Sequence, residues 1–364
     1  MTRLARVLID PDALRHNLQR ARAAAPGRRL LAVVKAGGYG HGMVAAARAL
    51  AGADGFGVAT VGEGLALREA GLSAPVLVLE GPAGPAEVEA AAAAGLAVVL
   101  HHEAQLRWLE EARPPRPVPV WVKLDTGMHR LGFDPAMAPA LAQRLAACAA
   151  AAPPPVWMTH FANADDRDDP LTTEQIRRFA AAVDGLPGAR SLANSAGVLG
   201  WPGSHGDWVR PGIMLYGASP FAGATGPELE LRPAMTFTSR LIAVHRRRRG
   251  EALGYGGEYV CPEDMPVGVV AAGYGDGYPR HAAAGTPVLV GGRRVSLVGR
   301  VSMDMITVDL RAHPEARVGD PVVLWGEGLP VEEVARHAGT IAYELLCHAG
   351  ARPASREVLG PECT

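Results

Sequence analysis

Residues 30–42 read L-L-A-V-V-K-A-G-G-Y-G-H-G, and this stretch decides the fold. The apolar run at 30–34 is too short for a helix and ends at Lys35, and glycines and an alanine-rich segment at 44–51 follow. This order predicts a buried strand, a loop and the beginning of a helix. We therefore expect Lys35 at the edge of an α/β sheet, beside a loop whose backbone N–H groups can approach an anion. A phosphorylated ligand held beside an amine is the first hypothesis.

The glycines after Lys35 match neither of the two common nucleotide-binding motifs. A P-loop has its lysine after the glycines, whereas here the lysine precedes them. A dinucleotide fingerprint needs a third glycine three residues after Gly40, and the sequence has Met43 there. The alternative from this stretch alone is a solvated lysine that merely ends a strand.

The composition argues against several classes of function. The chain has 364 residues, a net charge of −1 and a pI near 6.9, so no basic surplus indicates nucleic acid or an anionic membrane as partner. The one strong basic run, at 246–249, is typical of a solvated turn. Aromatic residues make up only 5% of the chain, which also argues against a surface for stacking bases.

The cysteines and the N-terminus predict a cytoplasmic location. The four cysteines are far apart and form no C-x-x-C pair, so neither a disulfide framework nor a metal site is predicted. The first residues lack the apolar core of a signal peptide, and the alanine-rich run at 90–100 is too short to cross a bilayer. We expect a cytoplasmic protein without a membrane or nucleic-acid partner.

Strand and helix patterns alternate through the first 230 residues. Eight strands buried on both sides predict a closed (β/α)8 barrel rather than an open sheet. The candidate strands are residues 30–34, 56–60, 76–79, 97–101, 118–124, 156–160, 191–193 and 207–210. From about residue 231, short β-rich segments alternate with glycine and proline turns, including a Gly291-Gly292 hairpin. The fold class predicted is α/β, with a barrel domain at 1–230 followed by a mostly β C-terminal domain at 231–364.

Polar side chains follow several of the predicted barrel strands. Active sites of such barrels lie at the carboxyl ends of the strands, so we expect these residues to share one site. They are Lys35, Lys123, Asp125, His160, Asn194, Ser195 and Arg210. A lysine beside an anchored phosphate suggests an imine with pyridoxal phosphate, since an amine and an aldehyde are what imine formation needs. An arginine facing the pyridine nitrogen will not readily give that nitrogen a proton.

Eight motifs in order along the chain resemble those of the alanine racemase family. The first is V-V-K-A-G-G-Y-G-H-G, which is similar to the family's pyridoxal-lysine motif. The others are K-L-D-T-G-M-H-R-L-G (123–132), H-F-A-N-A-D (160–165), N-S-A (194–196), R-P-G-I-M-L-Y-G (210–217), G-Y-G-G (254–257), G-Y-G-D-G-Y (273–278) and G-R-V-S-M-D (299–304). The resemblance covers both predicted domains and implies a homodimer with shared active sites.

The resemblance also implies two catalytic residues. Lys35 binds pyridoxal phosphate and acts as the base on the D-alanine side, and Tyr255 from the partner subunit is the base on the L-alanine side. Two bases on opposite faces of the reacting carbon are what racemisation by proton transfer requires. The product, D-alanine, would supply peptidoglycan, or the enzyme would serve alanine catabolism.

Further roles come from the same resemblance. Arg210 faces the pyridine nitrogen, His160 links Arg210 towards Tyr255, and Arg130 reaches the cofactor and the substrate carboxylate. The cofactor-binding set comprises Lys35, Tyr39, Arg130, His160, Asn194, Ser195, Arg210, Gly212 and Ile213. The substrate-binding set comprises Arg130, Tyr274, Met303 and Asp304. Lys123 matches a lysine that is carbamylated in some members.

Two positions depart from the family pattern. Position 37 is glycine where the family usually has asparagine or aspartate, and a phosphate-binding tyrosine expected near the C-terminus is matched by Ala351.

Two other functions for the chain stay open. One is a racemase of broad specificity or a decarboxylase on the same architecture. The other is a pyridoxal-phosphate carrier, against which the complete β domain argues.

Overall fold

The computed structural model describes residues 4–349 and 356–360, and its first strand, β1, spans Arg6–Ile9. Eight further strands form one parallel sheet in the order β8-β7-β6-β5-β4-β3-β2-β9. They are β2 (Arg29–Val33), β3 (Gly55–Val58), β4 (Val76–Val78), β5 (Ala97–Leu100), β6 (Val118–Lys123), β7 (Ala151–Met158), β8 (Arg190–Ser191) and β9 (Trp208–Val209). Between β8 and β9 the backbone N–H of Arg210 donates to the carbonyl of Ala193 at 2.9 Å. This bond brings the two edges of the sheet together as a nearly closed barrel, and the predicted barrel is confirmed.

Helices surround the barrel and bury its outer face. They are α1 (Pro11–Ala24), α3 (Met43–Ala49), α4 (Val61–Glu69), α5 (Pro85–Ala94), α6 (Glu103–Glu111), α7 (Ala138–Ala147), α8 (Leu171–Ala182) and α9 (Ser195–Gly200). The short segment α2 (Lys35–Tyr39) is a turn with positive φ values and not a regular helix. The Asp10 side chain caps α1 by accepting from the backbone N–H of Asp12 at 2.8 Å, and Pro11 is the first helical residue. No helix in the described ranges is long and apolar enough to span a membrane.

The interior of the barrel contains a cluster of buried apolar side chains, each from a different strand. The cluster consists of Leu31, Leu77, Val99, Trp121, Met158 and Trp208. The rings of Trp121 and Trp208 pack against each other there, with centroids 5.7 Å apart. The barrel is therefore packed rather than hollow, so any ligand must bind at an end of it.

The second domain is a mostly antiparallel β structure. Its strands are β10 (Met235–Arg247), β11 (Ala252–Leu253), β12 (Tyr259–Val260), β13 (Met265–Val270), β14 (Pro287–Val290), β15 (Arg293–Val298), β16 (Ile306–Asp309), β17 (Pro321–Trp325) and β18 (Arg356–Val358). The sheet order β13-β16-β15-β14-β17-β10 and the pairing of β13 with β10 close six of these strands into a ring. Two helices follow, α10 (Val331–His337) and α11 (Ala342–His348). The predicted mostly β domain and the Gly291-Gly292 hairpin, with φ of 55° and 78°, are confirmed.

The first strand belongs to this second structure and not to the barrel. β1 pairs antiparallel with β10 and parallel with β18. The predicted boundary at 230 assigned these residues to the barrel domain, and the structure differs there. A four-residue strand has too little pattern to indicate its partner, so only the tertiary pairing identifies it.

Candidate active site

The cofactor-lysine motif folds into a left-handed turn. Lys35 is the second residue after β2, and the next four residues have φ between 51° and 66°. They are Ala36, Gly37, Gly38 and Tyr39. Glycine enters this conformation freely, whereas alanine and tyrosine do so at a cost of about 1–2 kcal/mol each. The sequence predicted an open glycine-rich loop here, and the glycines instead permit a tight turn that orients Lys35 and Tyr39.

Gly37 is explained by this conformation. Its φ is +64°, and a Cβ built on it would meet no heavy atom within 4 Å. Asparagine and aspartate are the side chains that best tolerate such a φ. The glycine therefore keeps the backbone conformation that the family's usual residues also favour.

A cavity of about 750 Å³ opens at the carboxyl ends of the barrel strands. It brings together all nine predicted cofactor-binding residues: Lys35, Tyr39, Arg130, His160, Asn194, Ser195, Arg210, Gly212 and Ile213. Its other lining residues are Val33, Ala36, Leu79, Glu80, His101, Lys123, Leu131, Met158, Tyr343 and Cys347. Six of the seven polar residues that were expected to share one site line this cavity, and Asp125 does not.

Arg210 is the most completely held side chain of this cavity. Its Nη1 donates to the carbonyl and hydroxyl of Ser191 at 2.9 and 2.7 Å, and its Nη2 donates to the carbonyls of Thr159 and Leu192 at 2.7 and 3.2 Å. Its Nε has no hydrogen-bond partner among the described residues, so that N–H is available to a ligand in the cavity. Burial lowers the pKa of Arg210 to about 10, which leaves it cationic at neutral pH.

His160 accepts a further hydrogen bond from this guanidinium. Nη2 of Arg210 lies 3.3 Å from Nδ1 of His160. Because arginine can only donate, Nδ1 must be the unprotonated nitrogen and Nε2 carries the proton. Burial, and then the charge of Arg210, lower the pKa of His160 well below its usual value. His160 is therefore a neutral imidazole with a fixed tautomer.

Lys123 is a second amine in the same cavity. Burial, then the charges of Arg210 and Arg130, lower its pKa to about 8. The chain contains only two lysines against 34 arginines, and both lysines line this cavity. An amine can lose its proton near neutral pH and react, whereas a guanidinium cannot, so both positions suit chemistry specific to an amine.

A carboxylate fixes the loop that presents Arg130. Oδ1 of Asp125 accepts the backbone N–H groups of Gly127, Met128 and His129, each at 3.0 Å. These bonds close the loop that follows β6, and Arg130 is the next residue along it after His129. Asp125, which the sequence placed after a strand, therefore organises the loop rather than lining the cavity.

Hydroxyl and amide groups converge at one end of the cavity. Oγ of Ser195 accepts the backbone N–H groups of Gly212 and Met214 at 2.8 and 3.4 Å, so its own proton can be donated to a ligand. A Cβ at Gly212 would lie 2.4 Å from the hydroxyl oxygen of Tyr39, so glycine is needed for this close approach. Neutral donors placed in this way suit an anionic group.

Two cavity residues come from α11 and were missed by the sequence interpretation. They are Tyr343 and Cys347, and the ring of Tyr343 lies 6.1 Å from that of Tyr39, centroid to centroid. The doubtful match at Ala351 lies outside the described residues. Tyr343 supplies a tyrosine to the cavity from the same C-terminal region. No local signal separated it from other aromatic residues, because only the packing of α11 against the barrel brings it there.

The remaining predicted residues lie apart from this cavity, on the second domain. Tyr255 is 70% exposed, Met303 is 53% exposed and Tyr274 is 41% exposed. Asp304 follows Met303 and is half-buried. None of the four lines the cavity of its own chain. The structure therefore separates the predicted residues into a cavity set and a surface set.

Two of the family-like motifs in the surface set fold as one unit. The backbone N–H of Tyr274 donates to the carbonyl of Ser302 at 3.1 Å, and that of Gly275 donates to the carbonyl of Met303 at 2.8 Å. A Cβ at Gly273 would lie 2.2 Å from the Ser302 carbonyl oxygen, so this approach requires glycine. Tyr274 and Met303 are thereby presented together at the surface. In the described part of the chain, no group of three or more acidic, histidine or cysteine side chains could hold a metal ion.

The fold and the cavity define a class of protein, a (β/α)8-barrel enzyme with its site at the carboxyl ends of the strands and a β domain attached. Comparisons with known proteins identify the family within this class. Residues 9–220 match the model of the alanine racemase N-terminal domain, and residues 234–356 match that of the C-terminal domain. The chain belongs to the alanine racemase family. The predicted family is thus confirmed, and with it the prediction of an isomerase.

Individual relatives cover nearly the whole chain. An alanine racemase of Nitrosococcus oceani is 56% identical over 95% of this chain and 97% of its own length. A biosynthetic alanine racemase of Escherichia coli is 51% identical over 97% of this chain and 99% of its own. The crystal structure of the biosynthetic alanine racemase from Pseudomonas aeruginosa superposes with a TM-score of 0.95 at 46% identity, covering 98% of this chain and all of that one.

Proposed function

We propose that this chain interconverts L-alanine and D-alanine in the cytoplasm, with pyridoxal phosphate as cofactor, in a homodimer with shared active sites. D-Alanine made in this way would supply peptidoglycan. The observation that carries the proposal is one cavity that joins the amine of Lys35, the guanidinium of Arg210 and a set of neutral anion donors. Family membership agrees with this chemistry.

The donors of the cavity fit pyridoxal phosphate. The hydroxyls of Ser195 and Tyr39 and the backbone N–H of Ile213 would hold the phosphate, and Lys35 would bond to the aldehyde. The unpartnered Nε of Arg210 would face the ring nitrogen. When bound, the cofactor withdraws electrons from the substrate's α-carbon, which makes its hydrogen removable as a proton.

Arg210 and His160 would limit how far that electron withdrawal goes. Arg210 retains its proton, because even its lowered pKa of about 10 lies far above that of a pyridine. His160 is neutral and accepts from Arg210, so it adds no proton of its own. A ring nitrogen that stays unprotonated is a weaker electron sink, which favours return of the proton over side reactions.

Racemisation needs two bases, and of the two predicted ones only Lys35 lines the cavity of its own chain. Lys35 lines the cavity, and Tyr255 is 70% exposed on the second domain and lies outside it. This separation supports Tyr255 acting in the cavity of the partner subunit, with Tyr274, Met303 and Asp304 beside it at the substrate end. Arg130 at the cavity rim would meet the substrate carboxylate. Of Lys35 and the partner's Tyr255, one would remove the α-proton from one face and the other would donate a proton to the opposite face.

The test is an assay of alanine enantiomers on the full-length protein loaded with pyridoxal phosphate. L-Alanine in D₂O should yield D-alanine by chiral chromatography, with deuterium at the α-carbon and no loss of the carboxyl group. Other L-amino acids should be converted much more slowly. Release of CO₂ would indicate a decarboxylase, and cofactor binding without any enantiomer exchange would indicate a carrier; either result would refute the proposal.

A further inference from the structure

Glu63 lies outside the residues discussed so far, yet its carboxylate contacts the backbone next to Lys35. Glu63 is in the first turn of α4, where Oγ1 of Thr60 accepts its backbone N–H at 3.2 Å. Its Oε1 accepts the backbone N–H of Ala36 at 3.1 Å, and its Oε2 accepts the backbone N–H of Ala59 at 2.6 Å. One carboxylate thus joins the turn after β2 to the end of β3.

These bonds hold the chain on both sides of Lys35. Before it, the backbone N–H of Val34 donates to the carbonyl of Gly57 on β3 at 2.8 Å. After it, the N–H of Ala36 has Glu63 as its acceptor. Ala36 has a φ of 54°, which an alanine adopts only when surrounding contacts impose it. Ala36 is exposed at the cavity rim, so its N–H could bond to water if Glu63 were absent. The hydrogen bond to Glu63 therefore serves to restrain the turn rather than to satisfy a buried N–H.

We propose that Glu63 is a positioning residue for Lys35. It keeps the left-handed turn at Ala36 closed, so that the amine of Lys35, and not that of Lys123, is presented to the cofactor aldehyde. The proposal rests on the proposed function, since it concerns which of two amines in one cavity bonds the cofactor. Glutamate suits the position because each of its two oxygens accepts one N–H, whereas glutamine has a single acceptor oxygen.

The chain's lysine content makes a direct experiment possible. The full-length protein is incubated with pyridoxal phosphate and reduced with borohydride, which converts a lysine–aldehyde linkage into a stable amine. Peptide mass spectrometry then has only two lysine side chains to distinguish, Lys35 and Lys123. In the wild type the label should lie almost wholly on Lys35. In Glu63→Gln the ratio of Lys35 to Lys123 labelling should fall about fivefold, the scale of losing one typical hydrogen bond.

A matched control separates this role from general support of α4. Glu69 lies on the same helix, is exposed and makes no hydrogen bond or ion pair within the described residues. Glu69→Gln should leave the labelling ratio and the cofactor absorption spectrum at wild-type values. A Glu63→Gln protein that unfolds like the wild type but keeps its labelling ratio would refute the role of Glu63. A wild type with no label on Lys35 would instead refute the proposed function.

Hydrogen exchange gives a second measurement that needs no variant. The Ala36 amide of the wild-type protein should exchange at least about tenfold more slowly than in the unfolded chain, because its hydrogen is bonded to Glu63. This measurement decides the matter if Glu63→Gln does not fold. Exchange of that amide at the unfolded rate would mean that the bond is not held in solution, and would overturn the proposal.

Discussion

Nη2 of Arg210 lies 3.3 Å from Nδ1 of His160, and this Nη2 also donates to the backbone carbonyls of Thr159 and Leu192. The contact couples the charge of one residue to the protonation of the other. Burial is the larger cause of the low pKa of His160, and the charge of Arg210 is the second. Charge and hydrogen bonding can therefore be separated by two substitutions at position 210.

The first prediction compares Arg210→Lys with Arg210→Gln. Lysine keeps the charge, so the pKa of His160 should remain low, whereas glutamine removes it and the pKa should rise while staying below its usual 6.5. Both variants leave buried carbonyls without donors and should lose about 2–4 kcal/mol of unfolding free energy. Histidine NMR titration and chemical denaturation measure the two effects. An equal His160 pKa in both variants would contradict the assigned role of the charge.

The second prediction concerns the pKa of Lys123. Its value of about 8, against 10.5 for a free lysine, should appear as a midpoint near pH 8 when its reaction with acetic anhydride is followed by mass spectrometry. Arg130→Gln removes a neighbouring cation and should move the midpoint upwards.

The same pKa shift predicts how stability depends on pH. Below pH 8 both the folded and the unfolded chain hold the proton, so the full free-energy cost of burying the charged amine opposes folding there. Between about pH 8 and 10.5 only the unfolded chain holds it, so stability contributed at this site rises with pH.

The control for this titration is the same reaction in denaturant, where the midpoint should return towards 10.5. A folded-state midpoint near that value would mean that Lys123 is solvated and not buried among cations. The measurement is simple to interpret because the chain has no lysine besides Lys35 and Lys123.

The third prediction tests whether sites are shared between subunits. Lys35→Ala and Tyr255→Phe should each lower the racemisation rate by about 10²-fold to 10⁴-fold, the usual contribution of an acid–base group. Mixed under subunit exchange, the two variants should recover about a quarter of wild-type activity. Half of the dimers would be hybrids, and each hybrid would contain one intact site of two. Native mass spectrometry verifies the exchange; verified hybrids without activity would place both residues in one chain's site.

The fourth prediction concerns Tyr343, the aromatic residue that α11 adds to the cavity. Burial, and then the charge of Asp165, raise the pKa of Tyr343 to about 12, so its hydroxyl stays protonated and can donate to a phosphate. Tyr343→Phe should weaken pyridoxal-phosphate binding about fivefold, with little change in unfolding free energy. Tyr259→Phe, which changes a tyrosine of the β domain outside the cavity, is the matched control. Equal cofactor affinity in the two variants would exclude a phosphate contact.

Much of the barrel and its site could be predicted because parallel strands carry long apolar runs that end in polar residues. Lys35, His160 and Arg210 each follow such a run, and the carboxyl ends of parallel strands meet at one face. The start of β7 was missed because residues 153–155 are prolines, which lack the N–H groups typical of a strand. Strand β1 was missed because four residues do not indicate a distant partner.

Contacts between segments far apart in the chain could not be predicted in the same way. The left-handed turn after Lys35 has the composition of an ordinary glycine loop, and its φ values depend on neighbours such as Glu63. Tyr343 reaches the cavity only because α11 packs against Gly40, more than 300 residues earlier. Such long-range packing leaves no periodic pattern in the sequence.

The fifth prediction compares two glycines of the turn that differ in their surroundings. Gly37 and Gly40 have φ of +64° and +81°, so both are strained for ordinary side chains. Around Gly37 the space is open, and asparagine tolerates this φ, so Gly37→Asn should change the unfolding free energy by less than about 1 kcal/mol. A Cβ at Gly40 would lie 1.9 Å from the carbonyl oxygen of Leu346 on α11. Gly40→Ala must therefore displace α11 and should cost about 2–3 kcal/mol or more.

The two variants also differ in their effect on the cavity. A displaced α11 carries Tyr343 and Cys347 away from the turn, so Gly40→Ala should weaken pyridoxal-phosphate binding as well as stability. Gly37→Asn should bind the cofactor as the wild type does, because its side chain extends into open space. Denaturant unfolding and cofactor titration on both variants give the comparison. Both glycines have positive φ, so equal losses of unfolding free energy and cofactor affinity in the two variants would mean that backbone conformation alone determines the effect of substitution. The contact between Gly40 and α11 would then not hold the cavity wall in place.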